Sequence, residues 1–366
     1  MTKRILYIVP HRKNRSPGQR FRCEHFIPYV ETHDYKITYA NLLSAWDDSH
    51  FYRKNNYLVK TFILIKTFVQ RFFQLQKVKK YDAVLIYREA FMLGTTYFER
   101  LIARKKVPII FDFDDAIWLN DVSDANAKLK WLKRPGKTAD ICQLANLVIA
   151  GNQYLANYAT QHNNNVKIVP TTLDTDYHKS RSETKADNLV RIGWTGSSTT
   201  LKHFRLLIPV LIKLQQKYKK RLAIRVIADE PVVHKQLHIE NVQWSPSDEI
   251  QRLDEVDIGI MPLPDDQWSK GKCGFKGLQY MSMGIPAVMS PVGVNKEIID
   301  DGHNGFLAAN NKAWEDKLTR LIESAELRKK IGQAGRNTVL ESYSNNAWKD
   351  QYLEYFDEVI ASKNLK

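Results

Sequence analysis

The chain has 366 residues, 43% of them hydrophobic, and a formal charge of +15 from 55 Lys and Arg against 40 Asp and Glu. That length exceeds one ordinary core and fits two α/β domains, and the sequence holds no apolar run of the roughly 18 residues that span a bilayer. Three scattered cysteines, Cys23, Cys142 and Cys273, argue against a disulfide framework or zinc site and for a reducing, cytoplasmic compartment, while the positive balance asks for a polyanionic partner: nucleic acid, an anionic membrane surface or a phosphorylated ligand.

The opening MTKRILYIVPHRKN carries an apolar run too short for a signal-peptide core, and predicts a first buried strand, Ile5–Val9. Its loop, HRKNRSPGQRFR, predicts a Pro17–Gly18 turn flanked by Arg15, Arg20 and Arg22. Those guanidinium groups suit a pyrophosphate, or else form a solvated basic loop. A second strand, Lys36–Ala40, precedes residues 53–80, which hold eight Lys or Arg and no acid. There Lys60, Thr67, Arg71, Gln74 and Lys77 recur at helical spacing, opposite Leu58, Phe62, Ile65, Phe68, Phe72 and Leu75. Two readings stay open for this basic amphipathic helix: a crossover helix whose apolar face packs on the sheet, or a docking site for anionic lipid headgroups.

Strands Ala83–Tyr87, Pro108–Phe113, Leu147–Ala150 and Val166–Val169 complete the first series, the signature of a parallel sheet with crossover helices. Ligands bind such sheets beyond the carboxyl ends of the strands. Arg88 and Glu89 follow the third strand, and Asp112, Asp114 and Asp115 close the fourth in FDFDDAIW. A metal reading of that acidic run is set aside, because lysines and backbone further along can meet phosphate charge. Asp114 or Asp115 would instead orient an acceptor hydroxyl or take up its proton; capping the next helix is the alternative.

The polar stretch His178–Asp187 reads as a linker. A second alternating series follows: strand Val190–Trp194, helix Leu201–Tyr218, strands Ala223–Ala228 and Val242–Trp244, a helix capped by Ser245 with Pro246 first and Asp248 in its first turn, strand Ile258–Met261, helix Phe275–Met283 and strand Ala287–Ser290. The tail from Trp314 to about Lys363 reads as helical, broken near Gly332–Gly335 and Ser342–Asn345. His234 and His238 lack the glutamate of a zinc-hydrolase helix and read as surface residues.

Chemistry concentrates in this second half. In IGWTGSSTTLKHF, Gly196, Ser197 and Ser198 let backbone amides approach a phosphate, with Lys202 in the first helical turn; a Gly-Ser turn by itself is also plain geometry. In PLPDDQWSKGKCGFKGLQYMSM, Lys270, Lys272 and Gly274 precede a helix carrying Phe275, Lys276 and Gln279. After Ala287–Ser290 a turn holding Gly293 and Val294 opens another helix at Asn295. Three strand-to-helix turns thus offer amides and ammonium groups to one nucleoside diphosphate.

Residues 277–308, GLQYMSMGIPAVMSPVGVNKEIIDDGHNGFLA, resemble the "LLEAMA-G-PVVA", "GG-PE" and "NG-L" run of the retaining GT-B glycosyltransferases of group one, or family four. The loop with Lys202 resembles their "GR-x4-KG" element, TTLDTDYH their "PNGVD" segment, and LRKKIGQAGRNTVLESYS their late helix. Gln279 stands where the second Glu of their Glu-x7-Glu motif belongs, Gly271 where the first does, and Ser197 replaces the loop arginine. In the family the second Glu binds the nucleotide ribose and the first contacts the sugar, so Gln279 is expected to hydrogen-bond the ribose without charge.

The resemblance implies an α/β GT-B fold: an acceptor-side Rossmann-like domain, 1–177, and a donor domain, 178–346, facing across a cleft whose closure excludes water, with a helix from about 347 crossing back to the first. It implies metal-independent transfer with retention from a UDP- or GDP-sugar, without further cofactor. Lys202 and Lys276 would stabilise the leaving group, Gly196, Ser197, Ser198, Lys272, Gly274, Phe275, Gln279, Gly293 and Val294 would bind the donor, and Gly18, Arg20, Arg22, Arg88 and Glu89 would serve the acceptor side. The acceptor is expected to be a lipid-linked saccharide for surface polysaccharide or glycan, reached from the inner membrane face. A nucleotide-sugar epimerase of the same fold is the alternative; a nucleic-acid binder lacks any recognisable module.

Overall fold

A computed structural model describes residues 2–53, 56–119, 132–179, 189–245 and 247–363. Two units emerge, Met1–Thr172 with Trp348–Lys366, and Leu173–Ala347. In the first, strands β1 (Lys3–Val9), β2 (Tyr35–Asn41), β3 (Ala83–Tyr87), β4 (Ile109–Phe113), β5 (Leu147–Ala150) and β6 (Val166–Ile168) form one sheet in the order β2-β1-β3-β4-β5-β6. All its pairings are parallel. Every residue of β3, β4 and β5 is buried, which is why these segments read as unbroken apolar runs rather than alternating ones. The order reverses between β1 and β3, and their carboxyl ends therefore frame a topological switch point.

The second unit repeats the plan with β7 (Val190–Thr195), β8 (Leu222–Ala228), β9 (Ile239–Gln243), β10 (Ile258–Met261), β11 (Ala287–Met289) and β12 (Phe306–Leu307), ordered β12-β11-β10-β7-β8-β9. Its pairings are also parallel, and the switch point lies between β7 and β10. The last helix, Asn345–Lys363, returns to the first unit. Tyr352, Phe356 and Val359 join that unit's core; Tyr352 stacks on Phe26 with ring centroids 4.2 Å apart, and Phe356 meets Tyr7 edge-on.

Several predicted boundaries shift for local reasons. The helix expected over Leu201–Tyr218 is two, Leu201–Arg205 and Ile208–Tyr218, because Pro209 lacks an amide and restarts the helix in its first turn. The strand expected at Val242–Trp244 begins at Ile239 and ends at Gln243. The next helix spans Glu249–Asp254 with Asp248 at the cap position, while Ser245 pairs with Ser247; Pro246 and residues 180–187 of the expected linker lie outside the described residues. Gly332 and Gly335 interrupt nothing: Ala325–Thr338 is one helix. The break falls at Ser324, which caps that helix by accepting from the Leu327 amide.

The basic helix departs furthest from expectation. It spans Tyr57–Gln76 and buries Lys60, Ile63, Thr67, Arg71 and Leu75, so most of the polar face turns inward. Leu58, Phe62, Ile65 and Phe73 are 88%, 58%, 61% and 65% exposed. The cause is the row of carbonyls at the sheet's carboxyl end, which need donors. Arg71 supplies them, bonding Ala40 O at 3.0 Å, Ala90 O at 3.1 Å, Val9 O and the Gln74 amide oxygen. Burial draws its pKa down to about 9. Lys66 is held by both Asp47 carboxylate oxygens at 2.7 Å.

Candidate functional site

At the first unit's switch point, Ser16 precedes a helix, Pro17–Arg22, with Pro17 in its first turn; the expected Pro-Gly turn is a helix start. A Cβ on Gly18 would lie 2.7 Å from the Tyr87 hydroxyl and 3.0 Å from the Asp114 carboxylate, so only glycine lets this helix sit on the ends of β3 and β4. Arg22 is 1% exposed and clasps Asp112 through two hydrogen bonds of 3.0 and 2.7 Å, with a third to Val169 O. Burial pushes the Asp112 carboxyl up, partly offset by Arg22. Arg22 is therefore a buried structural cation and not a phosphate ligand. Arg20, 8% exposed, lies over the Phe21 ring at 4.6 Å.

Arg88 has φ 63, a conformation uncommon for a side-chain-bearing residue. It reaches Asp114 through two hydrogen bonds of 2.9 and 2.7 Å and also binds Asp115. The Tyr87 hydroxyl donates to the same Asp114 oxygen at 2.9 Å. Both aspartates thus fix Arg88. Glu89 accepts from Lys137 at 2.8 Å. Asp48, in helix Ala45–Phe51, faces Arg12, Arg15 and His11 of the β1 loop. Burial, reinforced by Arg15, Arg88 and Arg12 against the opposing Asp48, lowers His11 to about 4.

At the second unit's switch point the predicted amide cradle is internally occupied. Gly196 N–H donates to Ile227 O at 3.1 Å, Ser197 N–H to the Thr200 hydroxyl at 3.1 Å, and Ser198 N–H and hydroxyl both bind the Asp229 carboxylate. An anion does sit on this loop, but it is the protein's own, so the loop's amides are not open to phosphate as expected.

The lysines do converge. His203, 5% exposed on the helix after that loop, is lowered to about 4 by burial and then by Lys276, Lys202 and Lys272 together, with Asp266 opposing. Lys276, Lys202 and Lys272 all lie near enough to this imidazole to disfavour its charged form. Lys276 lies 5.7 Å over the Trp194 ring and Lys272 4.9 Å over Trp268. The helix Phe275–Ser282 starts here with Gly274 at its cap, φ 69, and no side-chain capping bond. A Cβ on Gly274 would strike Ile298, and one on Gly293 would meet the Lys270 carbonyl at 2.7 Å; the turns holding Gly274 and Gly293–Val294 are packed together.

Gln279 shares a helix face with Phe275 and Lys276. It is 5% exposed, and its side-chain amide has no hydrogen-bond partner among the described residues. Gly271 ends a short helix, Gln267–Lys270, which Asp266 caps by accepting from Ser269 N–H. Sequence reasoning missed that short helix, His203 and Asp229. The LKHF spacing that marked Lys202 also placed His203 beside it; nothing local signalled Asp229, which arrives from the end of β8. Among the described residues no group of three or more His, Cys, Asp or Glu is placed to hold a metal ion.

Residues 190–324, all in the second unit, match the family described as glycosyl transferases group 1. Over 323 residues the chain is 26% identical to an uncharacterized glycosyltransferase of Methanocaldococcus jannaschii, covering 82% of this chain and 80% of that one. It is 32% identical to spore coat protein SA of Bacillus subtilis over 30% of this chain, spanning only 29% of that relative's length. Among solved structures, the fold resembles a glycosyltransferase from Rickettsia africae (TM-score 0.67, 15% identity, 98% and 99% of the two chains). It also resembles sucrose-phosphate synthase from Thermosynechococcus elongatus (0.70, 11%, 98% and 100%) and Anabaena HepE in complex with UDP and glucose (0.65, 12%, 97% and 100%).

Proposed function

We propose that the chain, whose residues 190–324 match the glycosyl transferases group 1 family and whose fold of two Rossmann-like units resembles solved glycosyltransferases, moves a sugar from a UDP- or GDP-linked donor to a lipid-linked saccharide, with retention of configuration. The observation that carries the reading is the group at the β7/β10 switch point: Lys202, Lys272 and Lys276 around His203, beside the buried, unpartnered amide of Gln279. Ammonium groups suit the diphosphate. A neutral amide that both donates and accepts suits a ribose diol. That HepE carries UDP in a similarly folded chain supports the same class of donor.

In this reading the anomeric carbon–oxygen bond to the diphosphate breaks, and Lys202, Lys276 and the start of helix Phe275–Ser282 meet the charge that develops on the leaving oxygen. The lysines do the work a metal would do, so the reaction proceeds without one. The acceptor hydroxyl attacks from the face the diphosphate leaves and passes its proton to the departing phosphate oxygen. The first unit serves the acceptor through its β1 loop and the Arg88 cluster, in the synthesis of a surface polysaccharide or glycan at the inner face of a membrane.

Calorimetry of the full chain with UDP, GDP and their hexose conjugates tests the donor half. Micromolar to low-millimolar binding of one nucleotide, unaffected by EDTA, is expected. The proposal is lost if no sugar nucleotide binds at millimolar concentration, or if the donor's sugar is isomerised without any acceptor, as an epimerase would do.

A further inference from the structure

We propose that the outward face of helix Tyr57–Gln76 enters the interfacial layer of a lipid bilayer, held there by apolar insertion rather than by its basic residues. Of the fourteen large hydrophobic side chains exposed among the described residues, ten lie between Trp46 and Tyr97. Leu58, Phe62, Ile65, Val69 and Phe73 follow one another at steps of three or four, a single stripe along a twenty-residue helix about 30 Å long. Ordinary helices turn such a stripe to the core. This one cannot, because Arg71 and Thr67 fill the inward face and Arg71 is bonded to strand-end carbonyls.

The occupant follows from the rim. Exposed Tyr57 and Tyr97 border the stripe, and Tyr97 stacks on Phe68 at 5.8 Å; amphipathic rings of this kind favour the layer between headgroups and acyl chains. Arg53 stands exposed before the helix and Lys77, Lys79 and Lys80 after it. No Asp or Glu occurs from Ser49 through Tyr81, and the flanking acids are engaged, Asp47 by Lys66, Asp48 by Arg12 and Arg15, and Asp82 by the Arg4 backbone amide. A second copy of the chain would bring like charges together around the stripe, whereas anionic headgroups complement them. No helix among the described residues is long and apolar enough to cross a membrane, so the helix lies along the surface.

The mechanism separates from headgroup electrostatics. Lys60 and Arg71 are buried and Lys66 is paired, which leaves cations only at the helix ends. Vesicle cosedimentation of the full chain, with phosphatidylcholine alone and with added phosphatidylglycerol, reads this directly. A Phe62→Gln, Ile65→Gln, Phe73→Gln variant should bind at least about tenfold less at low salt and at about 0.5 M salt, where surface charge is largely screened. A Lys77→Gln, Lys79→Gln, Lys80→Gln variant should lose only a few-fold, on anionic vesicles at low salt alone. UDP affinity should be unchanged in both, so a failed donor reading and a failed membrane reading appear in different measurements. Should the triple apolar variant not fold, Leu58→Gln gives the same readout in milder form. Equal cosedimentation of wild type and apolar variants overturns the proposal. So does a wild type that binds no vesicle but sediments as a dimer the variant abolishes.

Discussion

The two switch points share a topology and differ in how they spend their charges. In the first unit the cations around the strand ends mostly meet carboxylates: Arg22 with Asp112, Arg88 with Asp114 and Asp115, Lys137 with Glu89, and Arg12 and Arg15 with Asp48. In the second, three lysines gather on an imidazole and on tryptophan rings. Mutual pairing makes a rigid frame with little net field. Clustered like charges raise the energy of the empty site and lower it when a polyanion arrives. Residue type alone does not distinguish the two, since arginines and lysines follow strand ends in both.

Arg22→Leu should give the largest effect, because it strands Asp112 in a site 0% exposed. The loss should be about 3–5 kcal/mol of stability, read as a lowered urea midpoint. If the variant keeps its stability and loses acceptor use instead, the frame is a binding site and the contrast between the units fails. Next in size, Lys202→Ala with Lys276→Ala should leave stability nearly intact and weaken UDP or GDP binding about 10- to 100-fold, the scale of one or two charge-assisted contacts. Unchanged affinity by calorimetry would remove the lysine cluster from the donor site.

The third effect concerns pH. His203 and His11 are both lowered to about 4, chiefly by burial, against about 6.5 in an unfolded chain. Between those values the unfolded state binds more protons, so stability is complete above about pH 6.5 and declines toward pH 4. His203→Asn and His11→Asn should each flatten that decline in thermal melts. Bound UDP should raise His203 itself by countering the lysines, seen by NMR titration of the ring proton, while His11 stays where it is. Equal movement of both would erase the difference between the sites.

Much of the fold was legible because its strands are short, buried and bounded by turn residues: β3, β5 and β10 fall on their predicted limits. The Phe275–Ser282 helix and its glycine cap were equally plain. What misled was side-chain direction. Periodicity placed Lys60, Thr67 and Arg71 on one face of the basic helix, but only the strand-end carbonyls, brought together by tertiary structure, decide that this face goes inward. Asp114 and Asp115 looked like free acids for the same reason, since the φ of Arg88 that aims it at them has no sequence signature. Such long-range polar pairings are invisible to local pattern.

The smallest expected effect is the sharpest on the donor loop. Asp229 takes both the amide and the hydroxyl of Ser198, holding an anion where a family donor's phosphate was expected. If phosphate and carboxylate compete for that loop, Asp229→Asn removes both the rival charge and its repulsion of the diphosphate. UDP affinity should then rise by a few-fold, since an exposed interaction of this kind contributes about 1 kcal/mol or less. Stability should fall slightly from the weakened bond. If affinity instead falls, Asp229 orders the loop for the donor rather than blocking it, and the phosphates rest on the lysines and the Phe275 helix start alone. Either sign locates the diphosphate relative to Gly196–Ser198, because the carboxylate's charge is lost while its size is kept.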